Sequence, residues 1–307
     1  MDSLKNIVVG VDFSAFSQSA LVQALRIARW NDARLHVFHG IDLSAANVVL
    51  DALLAEPASL EPGTTCDEVC DFALRQLEDL IAVSEPGEVH VVADTVAGSP
   101  FVEILRRVRD ASADLLVLGS NGISDPVRGA GTLATRCVRK AAARVLLVRE
   151  LHVERFNRVV ACVDFSETSY RVVEQSIRVA QQDKAMLHLL HVFSPPWEGL
   201  HYMPQPSAET KQKSTDSLRE RLGRVLQHFE SDTAGLEVAL HVVEGCRGAD
   251  GIIEFIEDSA ADLVVVGTRG RTGIRAILLG TVAEHIVRES PCSVLAVKPD
   301  DFKYEID

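Results

Sequence analysis

Residues Gly267–Val282 read GTRGRTGIRAILLGTV, and they follow the apolar run Leu263–Val266. After them comes a stretch with helical spacing that ends at Arg288. A strand that leads into glycines and then into a helix is how doubly wound α/β domains form phosphate sites. The glycines let the backbone approach a ligand, and the helix offers unpaired N–H groups at its positive end. The spacing, G-x2-G-x9-G-T, is not the G-x-G-x-x-G dinucleotide motif. It is not a P-loop either, because no lysine precedes Thr281.

The two halves of the chain repeat each other. From Asn6 the sequence reads NIVVGVDFSAFSQSALVQALRIA, and from Arg158 it reads RVVACVDFSETSYRVVEQSIRVA. Asp12 and Asp164 occupy the same place in the shared Val-Asp-Phe-Ser. The glycines of the two loops also correspond: Gly119 to Gly267, Gly122 to Gly270, and Gly131 to Gly280. A repeat of this length indicates two copies of one domain, which we predict to span residues 1–150 and 151–307.

Each half alternates five apolar runs with four segments of helical spacing, which predicts an α/β fold with a parallel sheet covered on both faces. The predicted strands are Ile7–Val11, Leu35–Phe38, Val89–Val92, Leu115–Leu118, Val145–Val148, Val159–Val163, Leu187–Val192, Val238–Val243, Leu263–Val266 and Val294–Val297. The predicted helices are Ser17–Ala28, Glu68–Ala82, Phe101–Asp110, Leu133–Ala142, Ser169–Gln181, Thr210–Glu230, Gly251–Ser259 and Ile274–Arg288. Right-handed crossovers then bring Asp12 or Asp164 near its glycine loop.

Composition limits the function classes. Hydrophobic residues make up 47% of the 307 residues, which argues against disorder, and the formal charge of −13 argues against a general nucleic-acid binder. No apolar run reaches the roughly 18 residues that span a bilayer, so we expect no membrane association. Met1–Lys5 lead directly into a strand, and the six cysteines show no disulfide spacing. These features predict a cytoplasmic protein.

Three features together resemble the universal stress protein family. They are the aspartate of Val-Asp-Phe-Ser after the first strand, a histidine near the end of the second, and G-x2-G-x9-G-[S/T] after the fourth. The resemblance covers nearly the whole chain, twice. It implies two tandem Rossmann-like domains of the adenine nucleotide alpha hydrolase type, each with a five-stranded parallel sheet of order 3-2-1-4-5. It also implies that the second domain binds ATP or AMP, ADP being a further candidate, with or without Mg²⁺.

Carried over by position, the resemblance assigns a role to each part of the second loop. Asp164 and Val192 are expected at the adenine end of the ligand. Val266, Gly267 and Gly270 are expected along the ribose and phosphates. Backbone N–H groups for the phosphates are expected from Gly280, Thr281 and Val282, together with the Thr281 hydroxyl. Arg269, Arg271 and Arg275 are candidate phosphate contacts, although exposed loop arginines are more often solvated.

The first repeat departs from this pattern. Its loop, GSNGISDPVRGAGT, has eight residues between Gly122 and Gly131 instead of nine, and it contains Asp125 and Pro126. A carboxylate beside a polyphosphate is unfavourable, and proline lacks a backbone donor. We therefore predict a weaker site or none in the first domain, from the residues that it retains: Asp12, Gly119, Gly122, Gly131 and Thr132.

Several residues allow two interpretations. Asp12 and Asp164 either contact the ligand or cap the following helix, a role for which Ser14 and Ser166 compete. The His-x2-His pairs beginning at His36 and His188 lie on predicted strands, where residues three apart face opposite sides, so a shared metal is not expected. Cys66 and Cys70 are interpreted as surface or packing thiols. The irregular stretches Asp42–Thr65 and Phe193–Ala208 are either flaps over a site or tolerated insertions.

No catalytic triad, metal cluster or carboxylate pair emerges, so we assign no catalytic residue and no metal ligand. The first hypothesis is a nucleotide-binding sensor, the second a slow ATPase, and the third a structural or holdase stress protein. Family resemblance further implies an internal pseudo-dimer in which the last strands, Val145–Val148 and Val294–Val297, pair. We expect two chains to associate into a homodimer, and an unidentified protein partner is a further candidate.

Overall fold

The computed structural model describes residues 4–42, 66–122, 130–149, 154–195, 207–245, 248–270 and 279–302. They divide into two compact units, the first reaching Glu154 and the second comprising Arg155–Phe302. The predicted domain boundary at residue 150 stays a prediction. No helix in the described ranges combines the length and apolar character needed to cross a membrane.

The first unit alternates strands and helices, and all its strand pairings are parallel. Its strands are β1 Asn6–Gly10, β2 Arg34–Ile41, β3 Val91–Ala97, β4 Leu115–Gly119 and β5 Arg144–Val148. Its helices are α1 Ala15–Asn31, α2 Cys66–Val83, α3 Pro100–Asp110 and α4 Thr132–Lys140. The strands lie in the order β3-β2-β1-β4-β5, so β1 has β2 on one side and β4 on the other.

The second unit repeats this arrangement. Its strands are β6 Arg158–Cys162, β7 Met186–Phe193, β8 Val238–Glu244, β9 Leu263–Gly267 and β10 Ser293–Val297. Its helices are α5 Glu167–Asp183, α6 Ala208–Gln227, α7 Gly248–Ser259 and α8 Thr281–Glu289. The order is β8-β7-β6-β9-β10, again with parallel pairings throughout. The predicted fold class, two Rossmann-like α/β domains, is confirmed.

The central strands form the core of each unit. In β1, Ile7, Val8 and Val9 are fully buried although successive side chains point to opposite faces. The corresponding Val159, Val160 and Ala161 of β6 are fully buried as well. A strand that is apolar on both faces needs helices on both sides of the sheet, which the alternating element order supplies.

Two predicted elements have different bounds in the structure. The helix predicted to begin at Ile274 begins at Thr281, with Gly280 as its N-cap in extended conformation. Residues 271–278 lie outside the described ranges, but Leu279 and Gly280 are not helical. The strand predicted at Val89–Val92 is β3, Val91–Ala97. Its half-exposed positions accept polar residues such as Asp94, and these interrupt the apolar run on which the prediction was based.

Candidate functional site

The candidate site lies at the carboxyl ends of the central strands in each unit. Asp12 follows β1 and Asp164 follows β6 by two residues, while the glycine loops begin at the ends of β4 and β9. Since β1 pairs with β4 and β6 pairs with β9, aspartate and loop meet at the same edge of the sheet. From the first strand of this pair the chain continues to the next strand on one side, and from the second strand it continues to the next strand on the other side. Doubly wound folds have their ligand crevice at such a point.

One oxygen of each aspartate organises the turn before the next helix. Oδ1 of Asp12 accepts hydrogen bonds from the backbone N–H of Ser14 at 3.1 Å and from its hydroxyl at 2.5 Å. Oδ1 of Asp164 accepts from the backbone N–H of Ser166 at 2.9 Å and from the hydroxyl of Ser169 at 2.6 Å. This oxygen therefore shapes the turn that precedes each helix, while Ser14 and Ser166 are the N-cap residues of α1 and α5.

The other oxygen of each aspartate faces the second glycine of its loop. A Cβ atom built on Gly122 would lie 2.8 Å from Oδ2 of Asp12, and one built on Gly270 would lie 2.9 Å from Oδ2 of Asp164. Any side chain at these positions would have to displace the carboxylate. The glycines therefore keep the space between aspartate and loop open.

Backbone hydrogen bonds close each loop at the start of the next helix. The N–H of Gly131 donates to the carbonyl of Ser120 at 2.7 Å, and the N–H of Gly280 donates to that of Thr268 at 2.9 Å. Gly131 and Gly280 are the N-caps of α4 and α8, and neither helix has a side-chain cap. The first-turn N–H groups of these helices are the usual donors for an anion.

A buried histidine supports each aspartate turn from the neighbouring strand. Nδ1 of His39 lies 2.7 Å from the carbonyl oxygen of Val11, and Nδ1 of His191 lies 2.6 Å from that of Val163. A carbonyl only accepts, so Nδ1 carries the proton in both rings. Burial lowers the pKa of His39, which keeps this ring neutral.

Two phenylalanines in left-handed backbone conformation complete these turns. Phe13 has a φ of 62° and Phe165 a φ of 63°, which is unusual for a bulky side chain. Phe13 packs on His39 with ring centroids 4.8 Å apart, and Phe165 packs on His191 at 4.3 Å. The sequence analysis missed the role of these rings. The signal available to it was the identical Asp-Phe-Ser in both repeats.

His188, the first histidine of the second His-x2-His pair, has different neighbours from His191. Nδ1 of His188 lies 3.0 Å from Nε2 of His241 in β8, and both rings pack near Phe255. Burial lowers the pKa of His188 and of His241, and each ring lies near positive charge. His188 and His241 lie apart from the aspartate turn. This is expected because His188 and His191, three residues apart on β7, face opposite sides of the sheet. In the described part of the chain, no group of three or more His, Cys, Asp or Glu side chains is arranged to hold a metal ion.

A cavity of about 320 Å³ occupies the site of the first unit. The predicted residues Asp12, Gly119, Gly122, Gly131 and Thr132 all line it. Further lining residues include Phe38, Pro100 and Ile104, which sequence analysis did not connect with the site. The volume is at the lower end of the range for small-molecule sites, about 300–1,000 Å³.

The remaining predicted residues of the second unit lie around the same edge. Val266 is buried at the end of β9, whereas Val282 is 42% exposed in the first turn of α8. The side chain of Val192 packs in a niche left by Gly245 and Gly251, whose added Cβ atoms would lie 3.2 and 3.0 Å from it. Arg271 lies outside the described residues, as do Arg275, Asp125 and Pro126.

Arg269, one of the three phosphate candidates, forms an ion pair outside the loop in this structure. Its guanidinium forms an ion pair with Asp301 at 2.6 Å, and its side chain is only 14% exposed. A neighbouring ion pair joins Arg171 of α5 to Asp300. Both acidic partners lie in the segment that follows β10.

Comparison with known proteins identifies relatives over the whole length. A family model described as "Universal stress protein family" matches residues 3–149 and again residues 155–298. A universal stress protein of Mycolicibacterium smegmatis is 27% identical over 304 residues, covering 95% of this chain and 97% of that protein. Universal stress protein MJ0531 of Methanocaldococcus jannaschii is 30% identical over 146 residues, covering 47% of this chain and 82% of that protein.

A solved structure shows the same architecture. A universal stress protein from Archaeoglobus fulgidus superposes with a TM-score of 0.62, covering 95% of this chain and 98% of its own. Its sequence identity is 19%, so this likeness concerns the fold alone.

Proposed function

The chain belongs to the universal stress protein family, and on this premise we propose that it is a stress-response protein that binds an adenine nucleotide, with the main site in the second unit. The nucleotide is ATP, ADP or AMP, and the protein acts as a sensor or regulatory module. The observation that carries the proposal is the amino end of α8. Its glycine N-cap leaves the first-turn N–H groups without a side-chain cap, at the same sheet edge as Asp164.

The residues of the second unit suit the parts of such a ligand. The amides of Gly280, Thr281 and Val282 and the Thr281 hydroxyl would hold the phosphates, because helix amino ends favour anions. Gly267 and Gly270 would let the ribose and phosphates approach the backbone, with Val266 beneath them. Arg271 remains a candidate contact for the phosphates.

Asp164 and Val192 would hold the adenine end. Oδ1 of Asp164 is occupied by the turn, while Oδ2 faces the loop across Gly270. A carboxylate oxygen accepts hydrogen bonds, which suits an exocyclic amino group. The bond from His191 to the carbonyl of Val163 fixes the backbone just before Asp164 and so orients its side chain.

Charge supports a weaker nucleotide site in the first unit. Two carboxylates, Asp12 and Asp42, line its cavity, and Asp42 stands where the repeat places Ser194 in the second unit. The hydroxyl of Ser194 donates to the carbonyl of Gly245 and carries no charge. A second carboxylate raises the Coulomb energy of a bound polyphosphate, and Asp125 in the first loop would add to this.

The direct test is mass spectrometry of small molecules released from freshly purified, denatured protein. We expect about one adenine nucleotide per chain, since a protein has few such sites. Its phosphate count, followed over time with added ATP and Mg²⁺, separates a sensor from a slow ATPase. If nothing is released and added ATP does not bind, the proposal is wrong.

Assembly and location stay predictions. We propose that two chains form a homodimer in the cytoplasm, in addition to the internal pseudo-dimer that the repeat implies. Mass measurement in solution checks the homodimer, and finding only a monomer would contradict it. A protein partner would be sought by comparing the proteins retained with and without bound nucleotide.

A further inference from the structure

Two cysteines lie one turn apart at the amino end of α2. Cys66 is the first residue of this helix and Cys70 lies one turn later, so both side chains are on the same helical face. Cys66 is exposed and Cys70 is partly exposed. Cys66 lies close enough to raise the pKa of the Cys70 thiol. The two thiols that the sequence places on one helical face are thus at least partly exposed at the surface.

The adjacent strand holds Cys70 in place. The hydroxyl of Thr95 in β3 donates to the carbonyl oxygen of Cys70 at 3.0 Å. Burial raises the pKa of the Cys70 thiol, and Cys66 raises it further, so Cys70 is kept as a thiol in the free protein. The backbone of Cys70 is thus bonded to the sheet, while Cys66 is open to solvent.

Helical geometry favours a bridging ion over a disulfide. Side chains four residues apart on a helix have Cβ atoms about 5–6 Å apart, whereas a disulfide needs about 3.5–4.5 Å. A disulfide would therefore distort the first turn. Two sulfurs that bind one tetrahedral ion at about 2.3 Å lie roughly 3.8 Å from each other. Two thiols on the same face of adjacent helical turns can reach that separation by side-chain rotation.

We propose that Cys66 and Cys70 form a two-thiolate site for a soft divalent metal cation. Thiolates are the protein ligands that such cations prefer. The exposed carboxylate residues Asp67 and Glu68, in the same turn, make the surroundings negative and so attract a cation. The site is independent of the proposed nucleotide function.

Binding is a substitution without electron transfer. Each thiol loses its proton to the buffer, two sulfur–metal bonds form, and the ion keeps its charge while it loses two water ligands. No third His, Cys, Asp or Glu of the described residues joins the pair. Water or a small thiol would therefore complete the coordination of the ion.

The test is a titration of the reduced full-length chain with Cd²⁺ as the probe. We expect binding at this site with release of nearly two protons per ion. Replacing Cys66→Ser or Cys70→Ser removes a ligand, which costs at least the ~10–100-fold in affinity that loss of an outer-sphere partner costs. Circular dichroism of each variant checks that the helices are retained.

A matched control tests whether binding depends on the positions of the two thiols or only on the number of cysteines. The double variant Cys70→Ser with Asp71→Cys keeps the number of cysteines, but its new thiol, at an exposed position, points away from Cys66. We expect it to bind Cd²⁺ as weakly as Cys70→Ser. Tight binding by this control, or unchanged binding by either single variant, would overturn the proposal. So would an intrahelical Cys66–Cys70 disulfide that forms in air and persists when Cd²⁺ is present.

Discussion

At the scale of single residues, the second glycine of each loop lies against the aspartate of the neighbouring turn. Gly122 and Gly270 both leave room for Oδ2 of that aspartate, within 3 Å of where a Cβ would be. The same pair of contacts in two independent copies of the domain indicates that glycine and aspartate work together. The glycine is required for the position of the carboxylate, and we expect it to be required for access of a ligand to the backbone as well.

Gly270→Ala is the corresponding test. The added methyl group would lie 2.9 Å from Oδ2 of Asp164 and displace it, so we expect nucleotide affinity to fall by at least about tenfold. Gly223→Ala is the control, because a Cβ there meets only Leu240 at 4.0 Å and the position is inside α6. That control is expected to gain about 0.4–1 kcal/mol of stability with unchanged affinity. Equal affinities of both variants, measured by titration calorimetry, would refute the role of Gly270.

Asp301 provides a second test at this scale. Its ion pair with Arg269 competes with any phosphate that this guanidinium would bind. Ion pairs near the surface contribute about 0.2–1 kcal/mol, so Asp301→Ala should raise nucleotide affinity by at most about fivefold. Asp300→Ala, which removes the neighbouring pair with Arg171, should leave affinity unchanged. If neither variant changes the affinity, Arg269 takes no part in binding.

At the scale of elements, the sequence was informative where local patterns decide the structure. Buried strands such as β1 and β9 were predicted within one or two residues, because continuous valine and leucine runs occur mainly in covered parallel sheets. The start of α8 was predicted seven residues too early. Ile274–Leu279 have helical spacing, but Gly280 adopts an extended conformation that ends any helix before it.

The wall of the first cavity was beyond sequence reasoning. Phe38, Pro100 and Ile104 reach it from β2 and α3, elements that are distant in sequence from both the aspartate and the loop. Their side chains look like ordinary core residues in the sequence. Only the packing of α3 against β2 shows that they line a ligand-sized space.

The strand pair β7–β8 contains the clearest pH-dependent element. The pKa values of His188 and His241 are lowered in the folded state, mainly by burial, so the unfolded chain binds more protons below its own pKa of 6.5. Stability from this pair is therefore fully present above pH 6.5 and is lost as the pH falls towards the lowered folded values. His36 and His39 shift in the same direction.

We expect the urea midpoint of unfolding to decrease between pH 7 and pH 5. Replacing His188→Phe together with His241→Phe should flatten this decrease, because neither new side chain titrates. Val83→Phe is the control, since this side chain is 79% exposed and the change adds the same ring without removing a titrating group, so the slope should be unchanged. A midpoint that stays constant down to pH 5 would contradict the assignment.

At the scale of the whole molecule, one domain occurs twice with unequal loops. Both units keep the aspartate turn, the buried histidine and the glycine N-cap. They differ in charge, since Asp42 lines the first cavity where the repeat has Ser194 in the second unit. Duplication followed by such changes gives a chain in which one copy can keep a ligand site while the other is adapted to a different use.

The most direct measurement is a calorimetric titration of ATP into the wild type, Gly280→Asp and Gly131→Asp. Aspartate is a good N-cap, so both variants should fold, but the carboxylate would occupy the helix amides and repel phosphate. We predict about one site per wild-type chain, lost in Gly280→Asp and retained in Gly131→Asp. Equal, full occupancy of both units, or loss of binding in Gly131→Asp alone, would contradict the account.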